Sequence, residues 1–144
     1  MSHCVVVLED QKRAGEATSE VIGLWDPDAA VEVVRSVREA QKVLSQRLHD
    51  TAYVIVDLLI EPSPADEQGD ALVQWILENR SLRNVPVLIL SSFPAMIRQL
   101  SPRIKQTVPY VSRTSDLSTI FEQLRPFIER ARARFASGQE PAAP

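Results

Sequence analysis

The fold of this protein is decided in the middle of the chain, where the sequence from Tyr53 to Asp57 reads Tyr-Val-Ile-Val-Asp. Four apolar residues stop abruptly on a carboxylate. A short, continuously apolar run is typical of a central strand in a parallel sheet that is covered on both faces, although periodicity alone also allows a segment of buried helix. A carboxylate at the end of such a run has to be satisfied, either by a structural cap or by a functional site.

Three further apolar runs also stop abruptly on polar or charged residues. They are residues 5–8 before Glu9 and Asp10, residues 85–90 before Ser91, and residues 108–111 before Ser112 and Arg113. With residues 31–34 as another strand and helix-like stretches between the strands, the pattern predicts an α/β fold: a (βα)5 doubly wound parallel five-stranded sheet in a three-layer sandwich. The residues that follow the strands would then line one crevice at one edge of the sheet.

The helices expected between these strands are marked by capping residues and prolines. Ser36 and Asp70 are placed to cap the second and third helices. Pro94 suits the start of a short fourth helix that Pro102 ends, and Ser115 opens the last helix.

The chain is predicted to divide into one folded domain and a short tail. Its 144 residues suffice for one domain with a real core, for which we predict residues 1–134. Residues 135–144 contain too little apolar side chain to fold and are predicted to be a disordered tail. The stretch 61–69, with two prolines, a glycine and three acids, predicts a long exposed loop after the third strand.

The composition excludes several classes of protein. Hydrophobic residues make up 44% and charged residues 24%, as in an ordinary globular protein, and no apolar run approaches the roughly 18 residues of a membrane span. The first residues do not read as a secretory signal, so a cytoplasmic location is expected. A net charge of −3 provides no field for direct nucleic-acid binding over the whole body. The single cysteine, Cys4, is interpreted as a small buried hydrophobe.

The residues after the first strand indicate a metal site. A dinucleotide site or a P-loop would need glycines there, whereas Glu9 and Asp10 would repel a bare phosphate unless a divalent cation neutralised them. Alone, such an acidic pair is equally typical of a helix-capping surface feature. Oxygen ligands without His or Cys favour Mg2+, with Asp57 as the third acid and the natural nucleophile. Phosphoryl transfer also requires a hydroxyl and a cation, and Ser91 and Arg113 are placed to supply them.

In these residues the chain resembles the receiver domains of bacterial two-component response regulators, the CheY-like family, over about residues 4–130. The resemblance implies that Glu9 and Asp10 help to bind Mg2+ and that Asp57 accepts a phosphoryl group from the histidine of a sensor kinase. It also implies that the backbone carbonyl of Leu59 is a further metal ligand.

The resemblance assigns a switch as well, with one departure from the family pattern. Ser91 matches the hydroxyl that bonds the phosphoryl group, and Tyr110 matches the aromatic residue whose rotamer reports the switch. The spacing from Tyr110 to Arg113 matches the family's Tyr-x-x-Lys, but this chain has Arg113 followed by Thr114 where the family has Lys followed by Pro. Because a guanidinium is a planar fork and not a compact ammonium, the exchange is not conservative at a tight phosphate site.

Three functions are compatible with these residues. The first is a stand-alone receiver, not an enzyme beyond its own phosphorylation and dephosphorylation, that uses Mg2+ and signals through protein contacts. Its partners would be a sensor histidine kinase or a phosphotransfer protein, a downstream protein, and a second copy of the chain. The second is a pseudo-receiver that acts as an interaction module without phosphorylation, motivated by Arg113, Thr114 and the long loop. The third is a haloacid-dehalogenase-like phosphatase or Toprim-like nuclease. These enzymes need an Asp-x-Asp motif after the first strand or after a later one, whereas here Glu9 and Asp10 are adjacent and Leu59 stands two residues after Asp57.

A run of basic residues marks the last predicted helix. It consists of Arg125, Arg130, Arg132 and Arg134 and is interrupted by Glu129. The run is interpreted as a solvated face that could also meet an acidic partner or a second copy of the chain.

Overall fold

A five-stranded parallel sheet lies at the centre of the protein, in a computed structural model that describes residues 3–58, 69–91, 98, 100–112 and 117–137. The strands are β1 (His3–Leu8), β2 (Ala29–Val34), β3 (Thr51–Asp57), β4 (Val87–Ser91) and β5 (Tyr110–Ser112). The helices within the described residues are α1 (Lys12–Trp25), α2 (Val37–Gln46), α3 (Gly69–Glu78), α4 (Pro102–Thr107) and α5 (Leu117–Ala136).

The strand order is β2-β1-β3-β4-β5, and every neighbouring pair is parallel. The carboxyl ends of the strands lie level with one another: Leu8 pairs with Val34 on one side and with Val56 on the other. This arrangement confirms the predicted α/β fold with a doubly wound five-stranded sheet. Of the two outer strands, β5 has three residues, whereas β2 has six and carries the exposed Glu32 near its centre.

The core lies on both faces of the sheet. Alternate residues of a strand point to opposite faces, so Val54 and Val56 pack on one side and Tyr53 and Ile55 on the other. Buried residues of α2, α3 and α4 cover the first face, and those of α1 and α5 cover the second. Both sides being covered explains why β1, β3 and β4 are continuously apolar and do not alternate with polar residues.

The second helix begins as predicted. The hydroxyl oxygen of Ser36 accepts a hydrogen bond of 3.1 Å from the backbone N–H of Glu39, which satisfies one of the free donors of the first turn. Val37, Ala40 and Leu44 are buried on one face of α2, at the three- and four-residue spacing of a helix face. By contrast, Asp70 is the second residue of α3 and not its cap, so that prediction was wrong.

One helix before the last strand was not predicted, and the start of that strand was predicted wrongly. Pro102 begins the additional helix α4, with Ser101 as the cap that accepts a 3.3 Å hydrogen bond from the N–H of Ile104. Proline is well tolerated at this position because the first N–H of a helix has no partner within the helix. Val108 then ends α4, donating its N–H to Ile104, so the last strand begins at Tyr110 and not at residue 108.

Several predicted features lie outside the described residues. They include the short helix at Pro94, the capping role of Ser115 and residues 61–68 of the predicted loop. The last helix continues to Ala136, because Phe135 still packs on the core. The predicted division of the chain at residue 134 stays a prediction. Within the part of the chain that the structure describes, no helix is long and apolar enough to cross a membrane.

A fully buried carboxylate, Asp26, connects α5 to the sheet. Its Oδ2 lies 2.7 Å from Nε2 of His3 and accepts a 2.9 Å hydrogen bond from the Tyr53 hydroxyl. Its Oδ1 lies 3.0 Å from Nε of Arg132, oriented as an ion pair without an aligned hydrogen bond. Burial of the Tyr53 hydroxyl, and then the negative charge of Asp26, raise the pKa of Tyr53 well above its ordinary value.

Candidate metal and phosphoryl site

Three carboxylates meet at the carboxyl edge of the sheet. Glu9 and Asp10 follow β1, and Asp57 is the last residue of the adjacent strand β3. One oxygen from each lies within 4.8 Å of the others, with Glu9 buried and the two aspartates half-buried. The structure thus brings together three of the predicted site residues from two distant parts of the sequence.

The side chain of Glu9 is held in place from two sides. Its backbone N–H donates to the carbonyl of Val34 at 2.9 Å, and its Oε1 accepts a 3.1 Å hydrogen bond from the N–H of Gln11. Gly15 of α1 lies directly above: a Cβ at that position would be 2.9 Å from Cγ1 of Val33 and 3.7 Å from Cγ of Glu9. The missing side chain therefore allows α1 to close over Glu9.

A second glycine fixes the backbone of Asp57. A Cβ on Gly69, the first residue of α3, would lie 2.2 Å from the Asp57 carbonyl oxygen and 2.9 Å from Cγ1 of Val56. The N–H of Gly69 donates to the carbonyl of Leu58 at 3.3 Å, and the N–H of Leu58 donates to the carbonyl of Leu90, also at 3.3 Å. The start of α3 thus presses against the end of β3 at a distance that only glycine permits.

The three acids fit a hard divalent cation. Two negative charges within 4.8 Å repel each other by about 3 kcal/mol or more at an effective dielectric constant of about 20. A cluster of oxygen ligands without nitrogen or sulfur favours Mg2+, Mn2+ or Ca2+. Mg2+ normally keeps several waters and takes one or two protein carboxylates, so a cluster of this size leaves room for a phosphate oxygen as well.

Ser91 lies at the same edge as the acids. It is the last residue of β4, is fully buried, and follows Leu90, the register partner of Asp57. On its other side Ser91 pairs in register with Ser112 of β5. The predicted hydroxyl is therefore on the strand next to the predicted nucleophile.

Tyr110 lies further from this edge. It is the first residue of β5, pairs in register with Ile89, and is 54% exposed. Two strand positions, about 7 Å along the strand, separate its level from that of Ser91. The side chain of Tyr110 is therefore open to a partner at the outer border of the sheet. Arg113 and Leu59 lie outside the described residues, and their roles in the site stay predictions.

Gly15 also shapes the site, and its contribution was not predicted from the sequence. An isolated glycine inside a helical pattern is unfavourable by about 1 kcal/mol, and this is often a sign of close packing. Here the packing partners are the strand residue Val33 and the stem of Glu9. The signal was present in the sequence, but its partner could be found only in the folded chain.

Comparison with known proteins shows the fold class. No protein-family model matches the chain, and no curated protein matches its sequence. The phosphorylated cyanobacterial phytochrome response regulator RcpA is similar in structure, with a TM-score of 0.70 and 18% identity over 99% of this chain and 100% of that one. The Mn(2+)-bound form of the response regulator Rcp1 has a TM-score of 0.65 and 18% identity, over 86% and 90% of the two chains.

A third solved structure extends the same likeness. The CheY-like receiver domain from Methylobacillus flagellatus has a TM-score of 0.65 and 18% identity, over 88% of this chain and 99% of that one. At identities this low the likeness establishes the fold. The chain has the CheY-like fold of response-regulator receiver domains.

Proposed function

We propose that this protein is a receiver that accepts a phosphoryl group on Asp57 with the help of Mg2+. The observation that carries the proposal is the meeting of Glu9, Asp10 and Asp57 within 4.8 Å at the end of the central strand. Such a cluster can bind a divalent cation and present one carboxylate as a nucleophile. The phosphorylated state of RcpA and the Mn(2+)-bound state of Rcp1 support this function by analogy of fold.

In the proposed reaction, a carboxylate oxygen of Asp57 attacks the phosphorus of a phosphohistidine on a sensor kinase or a phosphotransfer protein. A P–O bond forms, the P–N bond breaks, and the imidazole leaves with the electron pair and takes up a proton from solvent. Glu9, Asp10 and Asp57, with the backbone carbonyl of Leu59, would hold the cation, which would neutralise the negative charge on the phosphoryl oxygens.

Two further side chains have proposed roles after transfer. Ser91, at the end of the neighbouring strand, would donate its hydroxyl to a phosphoryl oxygen, and Arg113 would provide the positive charge. Tyr110 would report the switch to a downstream protein, because its exposed ring lies at the outer border of the sheet. We place the protein in the cytoplasm, where such kinases deliver the phosphoryl group.

The test is intact-mass measurement after incubation with acetyl phosphate and Mg2+. We expect an adduct of phosphoryl mass on the wild type and none on Asp57→Asn. Asp70→Asn is the matched control, because Asp70 is an exposed acid in the first turn of α3 and should leave the adduct unchanged. Chelation of Mg2+ should abolish the adduct in every variant. An adduct that persists on Asp57→Asn would contradict the assignment.

The second candidate is an interaction module that works without phosphorylation. It is favoured by Arg113 and Thr114, which replace the Lys-Pro pair of the receivers that this chain resembles. Calorimetry with beryllofluoride and Mg2+ separates the two functions, because beryllofluoride binds an aspartate as a phosphoryl mimic. Binding to the wild type but not to Asp57→Asn favours the phosphorylated receiver, and absence of binding favours the interaction module.

A further inference from the structure

The arginines of α5 fall into two sets in the structure. Arg125 pairs with Glu129 at 2.8 Å and lies over the ring of Trp25, 4.7 Å from its centroid. Arg132 contacts Asp26 and donates to the carbonyl of Trp25 at 2.8 Å. Both of these cations already have partners within the molecule.

The other set, Arg130 and Arg134, points into a groove. Together with Phe127 and Ala131 they form one stripe of α5, at the spacing of a single helix face. Arg83, in the loop between α3 and β4, lines the same groove. Among the described residues, these three arginines are exposed and have no acidic partner.

The groove has an apolar floor and a basic rim. Its volume is about 460 Å³, within the range of pockets that hold ligands. Val87, Val108 and Phe127 contribute to the floor, and no acidic residue lines it within the part of the chain that the structure describes. The groove lies at the amino ends of β4 and β5, about 13 Å along β4 from Ser91, and is thus at the opposite edge from the three acids.

This combination selects one kind of ligand. Arginine binds carboxylates through two parallel hydrogen bonds, and an apolar floor adds a place for an aliphatic side chain. Duplex DNA needs a long basic surface that neutralises many phosphates, whereas here three cations lie on a protein of net charge −3. We propose that this groove, formed by Arg83, Arg130, Arg134 and the apolar residues between them, binds an acidic peptide segment of a partner protein that carries an aliphatic anchor.

The experiment uses the full chain and a labelled peptide, Glu-Leu-Glu-Glu-Leu-Glu, at about 0.15 M ionic strength. Fluorescence anisotropy measures affinity, and backbone amide NMR shifts locate the site. We expect shifts at Asn84, Val87 and Ala131 and none at Glu9. The neutral peptide Gln-Leu-Gln-Gln-Leu-Gln should bind at least about tenfold more weakly.

Arginine variants provide the decisive comparison. Arg83→Ala and Arg134→Ala should each weaken binding about two- to fivefold, as expected for exposed ion pairs, and Arg130→Glu/Arg134→Glu by about tenfold or more. Arg38→Glu is the control, because Arg38 is exposed on α2 and has no ion pair among the described residues. Circular dichroism verifies that each variant is folded. Asp57→Asn should bind the peptide like the wild type, so the result is independent of the proposed phosphorylation.

Three results would overturn the inference. One is the absence of any arginine-dependent shift up to millimolar peptide, and another is equal binding of the neutral peptide. The third is a different occupant: tighter binding of duplex DNA than of the acidic peptide, or a dimer in sedimentation that Arg130→Glu/Arg134→Glu dissociates. The first of these occupants would assign the groove to nucleic acid and the second to another copy of the chain.

Discussion

Replacing Asp26 with asparagine keeps the shape of the buried side chain but removes its charge. The hydrogen bonds to Oδ2, from Tyr53 at 2.9 Å and from His3 at 2.7 Å, then become bonds to a neutral acceptor. A hydrogen bond to a charged group contributes about 1 kcal/mol more than a neutral one, so these two changes cost about 2 kcal/mol. The Arg132 ion pair adds about 1 kcal/mol at most, because its side chain is 36% exposed and can be hydrated.

The expected loss in the free energy of unfolding is therefore about 3 kcal/mol, or about 10 °C in Tm. Urea unfolding followed by tryptophan fluorescence and circular dichroism measures it, with an unchanged m-value as the sign that only stability has changed. Asp28→Asn is the matched control: this acid is exposed, lies two residues away, and should shift stability by less than about 0.5 kcal/mol. A loss for Asp26→Asn no larger than that of Asp28→Asn would refute the argument that this network stabilises the fold.

Three further predictions concern single positions. Because the pKa of Tyr53 is raised from its ordinary value of 10.0, the unfolded chain loses this proton at a lower pH than the folded chain does. The stability is therefore fully present below about pH 10 and falls above it. In urea unfolding at alkaline pH, wild type should lose up to about 1.4 kcal/mol per pH unit more than Tyr53→Phe, and equal pH dependences would contradict this. Burial raises the pKa of the Cys4 thiol, so a thiol reagent should label the native protein only at the rate of unfolding, and rapid labelling in buffer would be the contrary result. Gly69→Ala should lower stability by about 3 kcal/mol and reduce phosphorylation of Asp57, because the new methyl group meets the Asp57 carbonyl. Gly23→Ala should instead stabilise α1 by about 0.5–1 kcal/mol, because no atom lies within 4 Å of the added methyl group.

The acidic site could be predicted because it depends on local order and one topological rule. Each acid directly follows an apolar run, and parallel strands bring their carboxyl ends to one edge. Glu9, Asp10 and Asp57 therefore come together for reasons that are visible in short stretches of sequence. The capping role of Ser36 is local in the same sense, and that prediction was confirmed.

The buried network could not be predicted, because its members are distant in sequence and each has an ordinary local explanation. Asp26 precedes a proline and another acid, which is typical of a turn, and Arg132 belongs to a run that looks solvated. Only the packing of α5 against the end of α1 shows that these two residues form a pair. The helix that begins at Pro102 was missed for a similar reason, since a proline can follow a helix or begin one, and here it also begins α4, in which Ile104 is buried.

The outer strand β2 has a consequence for solubility. It pairs with β1 on one side only, so the N–H and C=O groups along its free border could pair with the same strand of another molecule and start aggregation. Val33 in this strand is 40% exposed and would favour such pairing, while the charge of Glu32 beside it opposes it. The opposite border is protected differently, because a strand of three residues offers too few hydrogen bonds to recruit a second chain. The one charged residue of β2 thus opposes self-association along the longer border of the sheet.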